Sequence, residues 1–313
     1  MLKNGTYYIE NMEDIRYLQE HPEQKFFVSL KNDTAFRGTM SQESVLRGFI
    51  AATLGIRQED IVGVKLNPTH LIPRYVMDKE GILDVAADIR MPKGEIRRID
   101  VELQVQSMEY WANRTLFYLC RMYTDSIKRG GDYSDLCKCI HIGILDFTFF
   151  QNQDEYYSHI QLLNASNQRL YSDQLELHVI ELNKLKLVPE EKQDALYYWA
   201  KLFQAESWEE YTMIAEKEPG VKDAVAIMQE FTEDEHMREE YLMKEKIERD
   251  RREVLRTAYH AGEREGRITG KREGEKRAFQ LNRILLEKKL FDDMERASID
   301  ENYREELYKK YGI

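Results

Sequence analysis

Asp84 and Glu102 are the residues whose surroundings point to chemistry. Asp84 lies inside the apolar run Ile82, Leu83, Val85, Ala86, where small and branched side chains predict a buried β-strand. Met91-Pro-Lys-Gly94 supplies turn residues, and a second strand is predicted over Ile99 to Val105. Strand side chains alternate, so Ile99, Val101, Leu103 and Val105 share one face and Asp100, Glu102, Gln104 and Gln106 the other. A strand with one face in water would alternate in the same way. That reading accounts for Glu102 and Gln104 but poorly for Asp84, because a carboxylate among apolar residues is costly unless it is paired or binds a cation. If the two strands are antiparallel neighbours, both carboxylates face one side. They then repel, and a hard divalent ion such as Mg²⁺ relieves the repulsion through oxygen ligands.

The elements that must hold this pair are legible around it. A helix is predicted over Ser41 to Leu54, with Leu46, Phe49, Ile50 and Thr53 at helical spacing and Gly55 at its end. Thr39 and Gln42 stand three apart, as in a capping box, and Glu43 lies in the first turn, where an acid suits the helix dipole. Ile61 to Leu66 reads as a strand before Pro68 and Pro73. After the hairpin, Ser107 to Lys128 reads as a helix whose apolar stripe is Leu116, Leu119, Cys120, Tyr123 and Ile127. Arg114, Tyr118 and Arg121 lie off that stripe, on what reads as a solvated face. Gly130-Gly131 ends the helix. Cys139 to Leu145 (CIHIGIL) is apolar throughout, as the centre of a covered sheet requires, and His141 within it reads as a hydrogen-bonded core histidine. Leu175 to Leu182 follows a polar stretch with Tyr156, Tyr157 and His159, which makes about five strands.

Several of these stretches together resemble a known family. They are LKNDTAF at Leu30 to Phe36, ILDVAAD at Ile82 to Asp88, VELQVQ at Val101 to Gln106, GGDYSDLCKCIHIGILDF at Gly130 to Phe147, LELHVIEL at Leu175 to Leu182, and the glycine-spaced charged tail. The set is similar to the recombination-promoting nuclease and transposase family of the PD-(D/E)XK superfamily, over roughly Leu30 to Gly274. The resemblance implies an α/β restriction-endonuclease-like core of αβββαβ order, a mixed sheet flanked by helices. It implies a metal site of Asp84, Glu102 and the backbone carbonyl of Leu103, with Mg²⁺ as cofactor and Mn²⁺ as substitute. Gln104 stands where the superfamily name has lysine, and no proline precedes Asp84. Gln104 can position a water but carries no charge. The resemblance also makes Glu43 a candidate accessory acid, and Gln106, Arg114 and Tyr118 candidate phosphate contacts.

After Asn183 the pattern turns helical, giving a predicted division into a core (1–185), a helical subdomain (186–233) and a tail (234–313). From Asp234 to about Leu290 there is no proline and charge is dense, which predicts a long solvated helix. Gly262, Gly266, Gly270 and Gly274 recur every fourth residue. They suit a linker-like helix, a self-association helix or a DNA-contacting arm. Leu281 to Ile313 resumes apolar spacing through Leu285, Leu286, Leu290, Phe291 and Met294, as a small helical cap would.

The 313 residues are 42% hydrophobic and 33% charged, enough for a core with a highly charged surface. The net charge of −11 argues against indiscriminate DNA coating. Between Lys244 and Arg277, however, twelve basic residues meet eight acidic ones, so that stretch carries +4. No apolar run approaches the ~20 residues of a membrane span, and the N-terminus lacks the pattern of a signal peptide. Cys120, Cys137 and Cys139 are few and odd in number, and a reducing cytoplasm suits them. There is no GxxxxGK[ST], no HExxH and no paired CxxC, which argues against nucleotide hydrolysis and structural zinc. The expected function is metal-dependent DNA endonuclease in recombination or mobile-element biology. The alternative is a non-catalytic nuclease fold that binds DNA or a protein, assembled through its C-terminal helix.

Overall fold

The computed structural model describes residues 2–3, 6–71, 81–127 and 130–313, with the side chains of 2, 3, 70, 71, 81 and 82 left out. Pro73 and Lys128 therefore lie outside the described residues, as does the side chain of Ile82. Two short strands, β1 (Leu2–Lys3) and β2 (Thr6–Tyr7), pair with each other. Helix α1 (Met12–Glu20) follows, with Asn11 and Asp14 forming a capping box at its start. Helices α2 (Asp33–Met40) and α3 (Glu43–Leu54) precede β3 (Gly63–Asn67), β4 (His70–Leu71), β5 (Gly81–Ile82), β6 (Val85–Arg90) and β7 (Ile96–Gln104). Next come α4 (Trp111–Thr124), β8 (Lys138–Leu145), β9 (Tyr157–Leu163) and β10 (Leu170–Glu181). The chain ends in helices α5 (Ala195–Gln204), α6 (Trp208–Lys217), α7 (Lys222–Glu233), α8 (Glu235–Glu287), α9 (Phe291–Ile299) and α10 (Glu301–Tyr311).

Six strands form one mixed sheet in the order β3-β6-β7-β8-β10-β9. Strand β6 runs antiparallel to both β3 and β7, β7 and β8 are parallel, β8 and β10 are parallel, and β9 closes the edge antiparallel to β10. From α3 through β8 this is the αβββαβ order. Strand β8 lies in the interior of the sheet because Cys139 to Leu145 is apolar on both sides and must be covered on both. The expected five strands become six through β9. Its apolar side chains Ile160, Leu162 and Leu163 are exposed, so they mark no buried face for the sequence to show.

One face of the sheet offers Val85, Ile89, Ile99, Val101, Ile140, Ile142, Ile144 and Ile180 to a core shared with Phe36, Phe49, Phe203 and Phe231 of α2, α3, α5 and α7. Gly38 of α2 is required here: a Cβ would stand 2.7 Å from the ring of Phe231. The 195–233 helices thus fill the same core as the helices that precede the sheet. The other face is covered by α4, through Tyr118, Leu119 and Met122 on Leu83, Ala86 and Cys139, and through Trp111 on Leu145 and Val179.

Several local expectations need correction. The capping box at Thr39 and Gln42 does not form: Thr39 is buried inside α2, and Gln42 makes no side-chain cap bond. The buried stripe of α4 is Trp111, Thr115, Tyr118, Leu119 and Met122, whereas Leu116 and Cys120 are exposed. The expected stripe is displaced around the helix because Trp111 and Met122 anchor it on the sheet, so the Tyr118 face turns inward. Helix α4 ends at Thr124, before Gly130-Gly131.

The chain forms two compact units, Met1–Lys246 and Ile247–Ile313. In the second, Leu281 and Leu285 of α8 pack with Ala297, Leu307 and Tyr308 of the last two helices. Leu286 and Phe291, expected in that cluster, are at least half exposed. Among the described residues of its own unit, a Cβ on any of the four spaced glycines of α8 would meet nothing within 4 Å. Among the described residues no helix is long and apolar enough to cross a membrane.

Candidate active site

Asp84 is not inside a continuous strand. The pairing of β5 stops at Ile82 and β6 begins at Val85, so Leu83 and Asp84 form a break at the mouth of the hairpin. The β6–β7 register, Val85 with Val101 and Ala86 with Asp100, brings position 84 beside position 102. Asp84 Oδ2 accepts a hydrogen bond from the backbone N–H of Leu103 at 3.2 Å. Its Oδ1 accepts from Arg37 Nη2 at 3.0 Å.

Glu102 extends from the face of β7 that carries Asp100, next to Gly143 of β8. It is 2% exposed. Its Oε1 pairs with Arg114 Nη2 at 2.6 Å, and its Oε2 has no hydrogen-bond partner. Burial pushes the Glu102 carboxyl up to about 7, against the pull of His141 and Arg114. Asp84 is raised in the same direction, first by burial, although Arg37 and the Leu103 N–H oppose it. Asp100 lies deeper. It is fully buried, with Oδ2 2.7 Å from His141 Nδ1. Asp100 Oδ1 and His141 Nε2 are also buried without partners. One oxygen of Asp100, one of Glu102 and a ring nitrogen of His141 lie within 4.8 Å of one another.

Among the expected accessory residues, Arg114 and Tyr118 belong to this site. Arg114 bridges Glu102 and Tyr118, donating Nε–H to the Tyr118 hydroxyl at 3.2 Å. Their helix face is buried against the sheet rather than solvated. Gln104 sits two residues past Glu102, and its Nε2 donates to the carbonyl of Gln106 at 2.9 Å. The side chain of Gln106 is exposed. Glu43 is held elsewhere: its carboxylate pairs with Arg47, which also reaches the carbonyl of Ile61.

Three participants were not read from the sequence as site residues. Arg37 links Asp84 to Asp33, which also pairs with Lys244. The signal was Asp33 of the LKNDTAF stretch and Arg37 just after it, which stand at i, i+4 across one helix turn. Asp100 was assigned only to the polar face of its strand. Trp111 packs over Gly143, where a Cβ would stand 2.6 Å from the indole, and this keeps the backbone beside Glu102 bare.

The buried Glu102 Oε2 without a partner, beside a second carboxylate of raised pKa, is what a divalent cation would stabilise. The residues present therefore fit an oxygen-ligated hard ion. No curated protein and no solved structure matches the chain. The family model for PD-(D/E)XK nuclease family transposase matches residues 30–258, which include both carboxylates and all six strands of the mixed sheet. The chain belongs to the PD-(D/E)XK nuclease family of transposases.

Proposed function

We propose that the chain is a Mg²⁺-dependent DNA endonuclease acting in recombination or on mobile DNA. The observation that supports this most is the buried carboxylate of Glu102, with one free oxygen, beside Asp84. Asp84, Glu102 and the carbonyl of Leu103 would hold the ion. When bound, Mg²⁺ lowers the pKa of a coordinated water and offsets charge growing on the scissile phosphate. The chain's own residues do the rest. Gln104 releases the Gln106 carbonyl and orients the attacking water through its amide. Arg37 and Arg114 hold the two carboxylates in place and offer positive charge to a phosphate oxygen. In this reading 1–185 carries the chemistry, 186–233 backs the sheet, and the basic stretch of 234–313 gives DNA a local track. The cytoplasm, where its three free cysteines stay reduced, is the proposed compartment.

A second reading is a nuclease fold that binds DNA or protein without cutting. It is favoured by the guanidinium already seated on Glu102 at 2.6 Å and by the uncharged Gln104. Plasmid nicking with Mg²⁺ or Mn²⁺ by the wild type, Asp84→Ala and Glu102→Ala separates the two. Nicking lost in both variants supports the enzyme. Equal nicking by all three proteins rejects this site, and DNA binding without any nicking supports the second reading.

A further inference from the structure

We infer that His159, Glu176 and His178 form a second metal site, for a first-row transition ion of the zinc class, on the sheet face opposite Asp84 and Glu102. The two faces follow from register. Glu176 and His178 pair in parallel with Ile140 and Ile142, which point into the core under α3. Glu102 pairs with Gly143, one residue out of phase, and points toward α4. His159 stands directly across from His178 on the edge strand.

The three ligand atoms lie within 4.8 Å of one another. His159 Nε2 is 3.4 Å from Glu176 Oε1, and His178 Nε2 is 3.6 Å from Glu176 Oε2. A tetrahedral ion with bonds of about 2.1 Å separates its ligands by about 3.4 Å. The imidazole rings stack at 4.4 Å between centroids with planes 16° apart, so binding a common ion requires the part-exposed His159 ring to turn until its Nε2 lone pair meets the space beside Glu176. His178 is 2% exposed, and its Nε2 has no hydrogen-bond partner.

The tautomer of His178 is set from behind. The Tyr157 hydroxyl lies 3.1 Å from the carbonyl of Thr53 and 2.7 Å from His178 Nδ1. That hydroxyl has a single proton. Donated to the carbonyl, it leaves the oxygen to accept from Nδ1–H, and Nε2 then presents its lone pair beside Glu176. Histidine ligands are oriented in this way by an outer hydrogen bond. Two imidazoles and one carboxylate favour zinc-class ions over Mg²⁺, and the 39% exposure of His159 leaves a path for the ion and a fourth ligand. Lys138 Nζ is the competitor. It is 2.9 Å from Glu176 Oε1 and 3.3 Å from Asp173 Oδ2, so Asp173 can retain it when a metal takes Glu176.

The test uses the full chain carrying Asp84→Asn and Glu102→Gln, titrated with Zn²⁺ by calorimetry and with Co²⁺ by visible absorption. One ion per chain is expected, with Co²⁺ bands of nitrogen ligation. His159→Ala, on the exposed edge, is expected to weaken binding at least tenfold, and Lys138→Met to tighten it severalfold. An affinity unchanged by His159→Ala in protein of unaltered circular dichroism overturns the site, as does the absence of binding in the parent. His178→Ala is expected to abolish binding, and should it fail to fold, His159→Ala and Lys138→Met still decide the question.

Discussion

Glu102 and Glu176 are both buried carboxylates on neighbouring parts of one sheet, yet they face opposite sides and opposite electrostatics. Burial dominates at Glu102 and raises it to about 7. At Glu176 burial also pushes upward, but His178, Lys138 and Gln161 more than offset it and hold the carboxyl below the ordinary range. Glu102 keeps one oxygen without a partner, whereas Glu176 is surrounded by donors. Burial alone therefore does not set the state of a carboxylate. The count of cationic and donor groups that the fold brings to it does. On the α4 face the arginines leave one oxygen of Glu102 without a partner, which suits a divalent ion. The α3 face is nearly balanced and offers nitrogen ligands instead.

The largest expected effect that would sharpen this contrast is catalytic. Glu102→Gln should reduce Mg²⁺-dependent nicking on the order of 10³-fold, while Glu176→Gln leaves nicking within about twofold of the wild type. A comparable loss in both variants would break the contrast.

The pH dependence of folding comes next. Between pH 4.5 and 7 the native state holds a proton on Glu102 that the unfolded chain has released. The stability linked to this group is therefore full below pH 4.5 and falls as pH rises through 7, by roughly 3 kcal/mol. Glu176 has the opposite sign, because its pKa is lowered: its contribution is full above pH 4.5 and is lost in acid. Urea unfolding at pH 5.5 and 8 should show Glu102→Gln removing the alkaline loss and Glu176→Gln leaving it.

Gly143→Ala forces a Cβ to 2.6 Å from Trp111. It should cost about 1–3 kcal/mol in urea midpoint experiments and displace α4 from Glu102, so nicking falls with stability. Retained stability would show that Trp111 is free to move. The smallest effect is at Gln104. Gln104→Lys restores a charge beside Glu102 and should raise turnover about fivefold, or about 1 kcal/mol of barrier, without altering the α3 face. Single-turnover nicking assays read it directly.

Strand β8, the hairpin, helix α3 and the long α8 were all legible, because each carries its burial pattern locally. Cys139 to Leu145 needs no partner to declare itself a covered strand. Asp84 declared itself as well, as an acid among apolar neighbours, though not as the break between two strands. The inward face of α4 was not legible. Leu116 and Cys120 are as apolar as Thr115 and Tyr118, and only the gap above Gly143 that seats Trp111 decides which side turns in. Strand β9 was missed because its apolar residues Ile160, Leu162 and Leu163 stay exposed, while Tyr157 and Gln161 are half-buried.

The sequence by itself determined the αβββαβ order and the family, and it singled out the two carboxylates as candidates, since these rest on local periodicity and on motif order along the chain. Only the tertiary structure decided that Arg37 and Arg114 neutralise those carboxylates, that Asp100 and His141 lie beneath them, and that His159, Glu176 and His178 converge on the far face. These groups come from segments far apart in sequence. Their charges are felt only at a few ångströms and away from water, and such separations exist only after the sheet and helices have packed.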